Sequence, residues 1–124
     1  MIPLQQFASV MVGTGTPCSF DGLLSATGTG STTVTGTSRT VTVPTGNSGK
    51  LRFLSVDVSL GGMGYSIDGG GYSSVSEGTE ITLTDTQTLV CRGTLLEVGE
   101  SVSANLVDAS TGTLIEALSY TRTA

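Results

Sequence analysis

The sequence predicts an all-β protein, and three observations carry that expectation. Gly, Ser and Thr supply 18, 16 and 21 of the 124 residues, and Thr with Val favours extended backbone over helix. Charged residues make up only 12% and mean hydropathy is +0.24, whereas a disordered chain combines low hydrophobicity with high charge. Apolar residues also alternate with polar ones in short runs that end at Gly, Pro, Asn or Asp, the pattern of half-buried strands between turns.

The N-terminal third has its own texture. Phe7 to Val12 is a short apolar run fit for a first strand or a docking anchor. Gly13 to Gly36 holds mostly small residues and few large apolar anchors, too few to offset its ordering entropy without a partner surface. We therefore read 1–37 as an extended arm and 38–124 as the folded domain.

From Arg39 the strands follow one another. Arg39–Val43 alternates and stops at Pro44 and the Gly46–Gly49 run. Leu51–Leu60 sets Leu54, Val56, Val58 and Leu60 on one face, with Asp57 and Ser59 on the other. Met63–Ile67 is a brief strand closed by Asp68-Gly69, a pair suited to the type I′ turn because both central residues need positive φ. Tyr65 and Tyr72 flank that turn and are placed to pair across it. Ser76-Glu77-Gly78 turns again, and Glu80–Thr84 points Ile81 and Leu83 inward. Thr88–Leu96 carries Leu89, Cys91 and Leu95 on one face, and Glu100–Val107 carries Val102, Ala104 and Leu106. Asp108 to Gly112 is a turn, and Thr113–Thr121 is the last strand. About seven strands with turns every 8–12 residues indicate an antiparallel sandwich of immunoglobulin-like layout. The Cys…Trp…Cys core of antibody domains is absent, and a jelly roll or small barrel fits the same periodicity.

Composition excludes much chemistry. With no histidine there is no Ser-His-Asp or Cys-His machinery and no His-ligated zinc. Five scattered Lys/Arg against ten Asp/Glu give a net charge of −5, so the footprint of a nucleic-acid binder is missing. Gly46–Leu51 has the outward form of a phosphate loop, but its glycine spacing is short and Leu51 stands where Ser or Thr is needed. Asp57, Asp68, Asp85, Asp108, Glu77 and Glu80 could offer oxygens to Ca²⁺. No D-x-D-x-D-G run gathers them, and we read them as turn caps and surface carboxylates. Ser66–Tyr72 resembles a sialidase hairpin box but occurs once, and a chain without Trp has little material for a sugar-stacking cleft. We expect no enzyme activity, no cofactor and no metal.

Cys18 and Cys91 leave two readings open. Cys91 suits a small buried hydrophobe, while a Cys18–Cys91 bridge would close a long loop worth about 4 kcal/mol in the chain-entropy model and need an oxidising compartment. Met1–Val12 lacks a basic n-region and a sustained apolar core, so no secretory signal is expected. No stretch reaches the ~20 apolar residues that cross a bilayer, so synthesis in the cytosol and no membrane partner are expected.

Two stretches resemble known modules. Gly36–Gly49 followed by Leu51-Arg52-Phe53 resembles the opening of small β-sandwich domains in tailed-phage virion proteins. Gly64-Tyr65-Ser66-Ile67-Asp68-Gly69-Gly70 with Thr88-Leu89-Val90-Cys91-Arg92 resembles the hairpin and core pattern of bacterial and phage immunoglobulin-like modules. Cys91 stands where those modules more often have Val. The resemblance spans about 36–121. It implies a non-enzymatic virion protein of the capsid-decoration type, located in the virion and assembled in the host cytoplasm.

Its implied partners are the major capsid or tail protein and further copies of itself. Thr- and Val-rich edge strands without protective Lys also suit partner pairing. Candidate interaction residues are Phe7, Val10 and Val12 in the arm, and Met63, Tyr65 and Tyr72 around the hairpin. A tail-associated protein and a receptor- or glycan-binding module acting through the Met63 and Tyr72 loops are the alternatives.

Overall fold

The computed structural model describes residues 15–29, 32–58 and 60–124. Phe7, Val10 and Val12 lie outside them. Among the described residues there are eleven strands and no helix: β1 (Ser19–Phe20), β2 (Ala26–Gly28), β3 (Thr33–Thr35), β4 (Arg39–Thr42), β5 (Lys50–Asp57), β6 (Gly62–Ile67), β7 (Ser73–Val75), β8 (Glu80–Thr82), β9 (Thr88–Thr94), β10 (Ser101–Asp108) and β11 (Leu114–Arg122).

Two sheets pack face to face. One runs β1-β4-β9-β6-β7, with β3 also on β9, and the other runs β2-β11-β10-β5-β8. The first four strands of one sheet and β11-β10-β5 of the other reproduce the A-B-E-D over G-F-C order of an immunoglobulin-like sandwich. β7 and β8 are added between the D and E positions. β8 crosses back to pair with β5, and β2 lies parallel to β11 on the opposite edge. The protein is an all-β sandwich.

Alternation fills the space between the sheets. Leu89 and Cys91 of β9, Leu95 just beyond it, and Val102, Ala104 and Leu106 of β10 are all buried, as are Ile81 and Leu83. Gly93 takes an inward slot on β9 where a Cβ would sit 2.7 Å from Val102 Cγ2 and 2.9 Å from Tyr120 Cβ. The missing side chain lets Tyr120 of the opposite sheet come in. Asp68 and Gly69 both have positive φ, and the Gly70 N–H donates to Ile67 O at 3.0 Å, the turn expected of this pair.

Three expectations need correction. On β5 the buried residues are Leu51 and Phe53, while Val58 and Leu60 are exposed. β5 ends at Asp57, so the sheet carries neither Val58 nor Leu60 into the core, and within the strand a bulge shifts the phase of the buried face. Asp57 pairs with Ser103 but Leu54 pairs with Asn105, and Ser55 between them has φ 52°, so one extra residue resets the alternation. The Glu77 carboxylate accepts the Ser55 and Val56 N–H groups at 3.1 and 2.9 Å.

Tyr65 and Tyr72 do not pair. Tyr65 faces Ser73 in the ladder and stacks on Phe53 with ring centroids 5.9 Å apart, whereas Tyr72 lies beneath the Arg92 guanidinium, 3.8 Å from its ring centroid.

The boundary at 37/38 is not where the sandwich begins. The described part of the expected arm supplies β1, β2 and β3, and it buries Cys18, Leu24 and Val34. Leu24 is fully buried, the Tyr120 hydroxyl donates to its carbonyl at 2.6 Å, and its N–H donates to Glu116. A segment poor in apolar anchors is thus ordered by strands that come later in the chain.

Candidate functional site: interaction surfaces

The six carboxylates weighed as calcium ligands mostly serve the chain's own backbone. Asp108 is fully buried and accepts the N–H groups of Cys18, Ser110 and Thr111 and the Asn47 side-chain amide, at 2.7–3.0 Å. Asp68 accepts from Thr88 N–H and Gln87, and Asp85 accepts the Val43 N–H. The Thr88 N–H, helped by Gln87, holds the Asp68 carboxyl below its ordinary range. Glu77 closes the β5 bulge, and Glu80 pairs with Arg52 at 2.8 Å. Among the described residues no group of three or more Cys, Asp or Glu side chains could hold a metal ion.

Cys18 and Cys91 are both free, buried thiols. Burial, with the Asp108 carboxylate beside it, pushes Cys18 up to about 12, and burial pushes Cys91 up to about 12. Neither is a thiolate at neutral pH, so neither is a nucleophile.

What the molecule offers instead is surface. At the end of the sandwich where β5 leads to β6 and β9 leads to β10, two loops present Val58, Leu60, Leu96 and Val98, each 39–60% exposed. Glu100 fixes both loops. Its Oε2 accepts the N–H groups of Leu60 and Gly61 at 3.1 and 2.9 Å, and its Oε1 accepts those of Leu96 and Glu97 at 2.7 and 3.2 Å. Burial acts to raise this carboxyl, but the backbone donors outweigh it and hold the pKa at about 2. Arg122 adds a clamp, donating to the Leu95 and Leu96 carbonyls at 3.2 and 3.4 Å. Leu60 and Leu96 therefore stand on backbone held by Glu100, with Val58 and Val98 exposed on the same two loops.

A second surface lies between β1 and the start of β11. It is an open cleft of about 410 Å³, walled by Pro17–Phe20, Gly22 and Leu23 on one side and Thr113–Glu116 on the other. Leu23 is 72% exposed and Leu114 53%. Glu116 reaches in from β11. Its Oε1 accepts the Leu24 N–H at 2.8 Å, while Oε2 is buried without a partner among the described residues. Burial raises its pKa, against the Leu24 bond and the nearby Arg39 charge. A third, smaller groove of about 170 Å³ holds Tyr72 and Arg92 over the glycines Gly62 and Gly64.

The structure separates the hairpin candidates. Met63 is buried, Tyr65 is packed against the core through Phe53, and only Tyr72 is exposed. The loop patch was missed because Val58 and Leu60 were assigned to an inward face. Two signals pointed to it: Leu95-Leu96 are adjacent and cannot both face inward on one strand, and Gly61-Gly62 closes the strand immediately after Leu60.

Comparison with protein-family models, with curated proteins and with solved structures returns no match.

Proposed function

We propose that the chain is a structural protein of a tailed-phage virion, a capsid decoration (cement) protein that binds the assembled head surface as a homo-oligomer. The observation that carries an assembly role is the set of exposed apolar side chains, Val58, Leu60, Leu96 and Val98, on the two loops that Glu100 ties together at Leu60 and Leu96. Contiguous exposed apolar surface on a small protein marks an interaction site. Loops already held by Glu100 lose little freedom on docking, so more of the contact energy is left for affinity. The virion assignment is supported by the resemblance of residues 36–121 to phage immunoglobulin-like modules. Binding across neighbouring subunits would stabilise a particle by mass action without any chemical step.

Co-sedimentation of the purified chain with mature heads tests this reading. Wild type is expected to pellet with particles. The double variant Leu60→Glu/Val98→Glu is expected to bind at least about tenfold more weakly, since buried interface anchors are each worth 1–2 kcal/mol or more.

The groove at Tyr72 favours a second reading, a glycan- or receptor-binding module. Its planar ring, the Arg92 donors and the glycine floor suit a small polar ligand. This reading expects glycan-array binding that Tyr72→Ala abolishes, whereas the decoration reading expects no glycan binding by either protein.

A further inference from the structure

We infer that the groove between Tyr72 and Arg92 receives a carboxylate side chain of a protein partner, beside the apolar loops that the same partner covers. The inference deepens the assembly reading and rests on it for the existence of that partner.

The ladder builds the groove. Met63 and Cys91 point into the core, so Gly62, Gly64, Arg92 and Thr94, which alternate with them, face outward. The register sets Gly64 between Arg92 and Ser74, and it sets Gly62 opposite Thr94. With no side chain at Gly64, the Arg92 side chain has a clear path across β6. Its guanidinium comes to rest 3.8 Å from the centre of the Tyr72 ring. A Cβ at Gly64 would meet Ser73 O at 3.1 Å and Tyr72 Cδ2 at 3.6 Å.

Arg92 is the arginine that the fold leaves unpaired. The other three serve the chain itself. Arg39 donates to Leu23 O at 3.4 Å, Arg52 pairs with Glu80, and Arg122 donates to the carbonyls of Leu95, Leu96 and Ala124. Among the described residues the Arg92 guanidinium has neither a hydrogen bond nor an ion pair, and the Tyr72 ring alone holds it. A guanidinium stacked on an aromatic face keeps its N–H edges free for a bidentate acceptor. The Ser74 and Thr94 hydroxyls line the same groove and are likewise unbonded among the described residues.

On a molecule of net charge −5, this cation lacks a counterion among the described residues, and a carboxylate is the acceptor that matches its planar fork. A neutral sugar gains less here, because the guanidinium already covers one face of the ring.

Position ties the groove to docking. Gly62 stands two residues after Leu60 and Thr94 two before Leu96, so the groove begins about 7 Å from the apolar loops. The loops supply contact area, and Arg92 supplies register: a partner must present an acidic side chain at a set distance from an apolar patch. Complementary charge of this kind fixes orientation and speeds encounter.

Two measurements on the full chain test the inference. In the first, isotope-labelled protein is titrated by NMR with N-acetylglutamate α-amide, with N-acetylglutamine α-amide and with glucuronate. The Arg92 Nε–H should shift saturably with the glutamate compound, and the glutamine compound should bind at least about tenfold more weakly, since a hydrogen bond to a charged group is worth that much. Amide shifts at Tyr72 and Thr94 should follow, and Arg92→Gln should abolish them. Equal binding of the two amino-acid compounds, or amide shifts that persist in Arg92→Gln, would overturn the inference. Glucuronate binding more than about tenfold tighter than the glutamate compound would also overturn it, by giving the site to an acidic sugar.

The second measurement is co-sedimentation with mature heads. Arg92→Gln is expected to weaken binding about tenfold at low salt, with Arg92→Lys in between because an ammonium keeps the charge but loses the fork. Both variants should keep the circular dichroism of the wild type. Equal head binding by wild type and Arg92→Gln overturns the inference and leaves the decoration proposal standing. A wild type that responds to the glutamate compound but does not bind heads removes the decoration proposal and supports the carboxylate site.

Discussion

Replacing Phe53 by alanine is expected to lower the stability of the sandwich by about 3–5 kcal/mol, the range for deleting a fully buried aromatic ring. Phe53 has no exposed surface, sits on β5 just before the bulge, and carries the stack with Tyr65 that joins the two sheets. Its backbone ties the turn after β7 to β5, through Phe53 N–H to Thr79 O at 2.9 Å and Gly78 N–H to Phe53 O at 2.8 Å. Those bonds survive the truncation, so the loss reports the ring. Against a total of about 5–15 kcal/mol for a domain, this is a large fraction. Urea titration should show a much lower midpoint. A loss below about 1 kcal/mol would mean that the space between the sheets collapses around the deletion far more readily than deletions of buried rings usually allow.

Asp108→Asn is expected to cost about 3 kcal/mol or more, because removing the charge from a buried, multiply bonded carboxylate leaves donors facing a donor. The wild-type side chain accepts from the Cys18, Ser110 and Thr111 N–H groups and from the Asn47 amide. It thus pins the chain entering β1 to the β10–β11 turn and the β4–β5 loop.

The effect has a pH signature. Burial acts to raise the Asp108 carboxyl and is the largest single influence, but its donors together hold it below the ordinary range. A group with a depressed folded pKa stabilises above its unfolded value, near 3.9, and loses that contribution as pH falls through the folded value. The gap between wild type and Asp108→Asn should therefore be full at pH 5–7 and shrink below about pH 4. Paired urea titrations across that range would show it. A gap that does not change with pH would assign the loss to shape alone.

How much of this was legible in the sequence depends on whether the signal was local. Asp68-Gly69 announces its hairpin because positive φ is needed at two successive residues and these two accept it. The inward residues of β9 and β10 follow from uninterrupted alternation. The β5 face does not, because the bulge falls at Ser55, a residue that seldom takes positive φ, and because Glu77 lies more than twenty residues away. The end of β5 at Asp57 is equally unmarked, and it leaves Val58 and Leu60 on the surface rather than in the core. Residues 15–29 and 32–37 were illegible for a different reason. Their order comes from partners far along the chain, from Glu116 and Tyr120 at Leu24 and from the parallel pairing of β2 with β11. The cleft beside β1 is likewise a product of topology, formed where a short β2 leaves a long β11 partly uncovered.

The most direct measurement is binding of the purified chain to mature heads, followed by sedimentation across a range of chain concentrations. If the chain is a decoration protein that docks through its fixed loops, wild type saturates at a fixed number of copies per particle and Leu60→Glu/Val98→Glu does not. Absence of any saturable binding, or equal binding by the two proteins, would contradict the account.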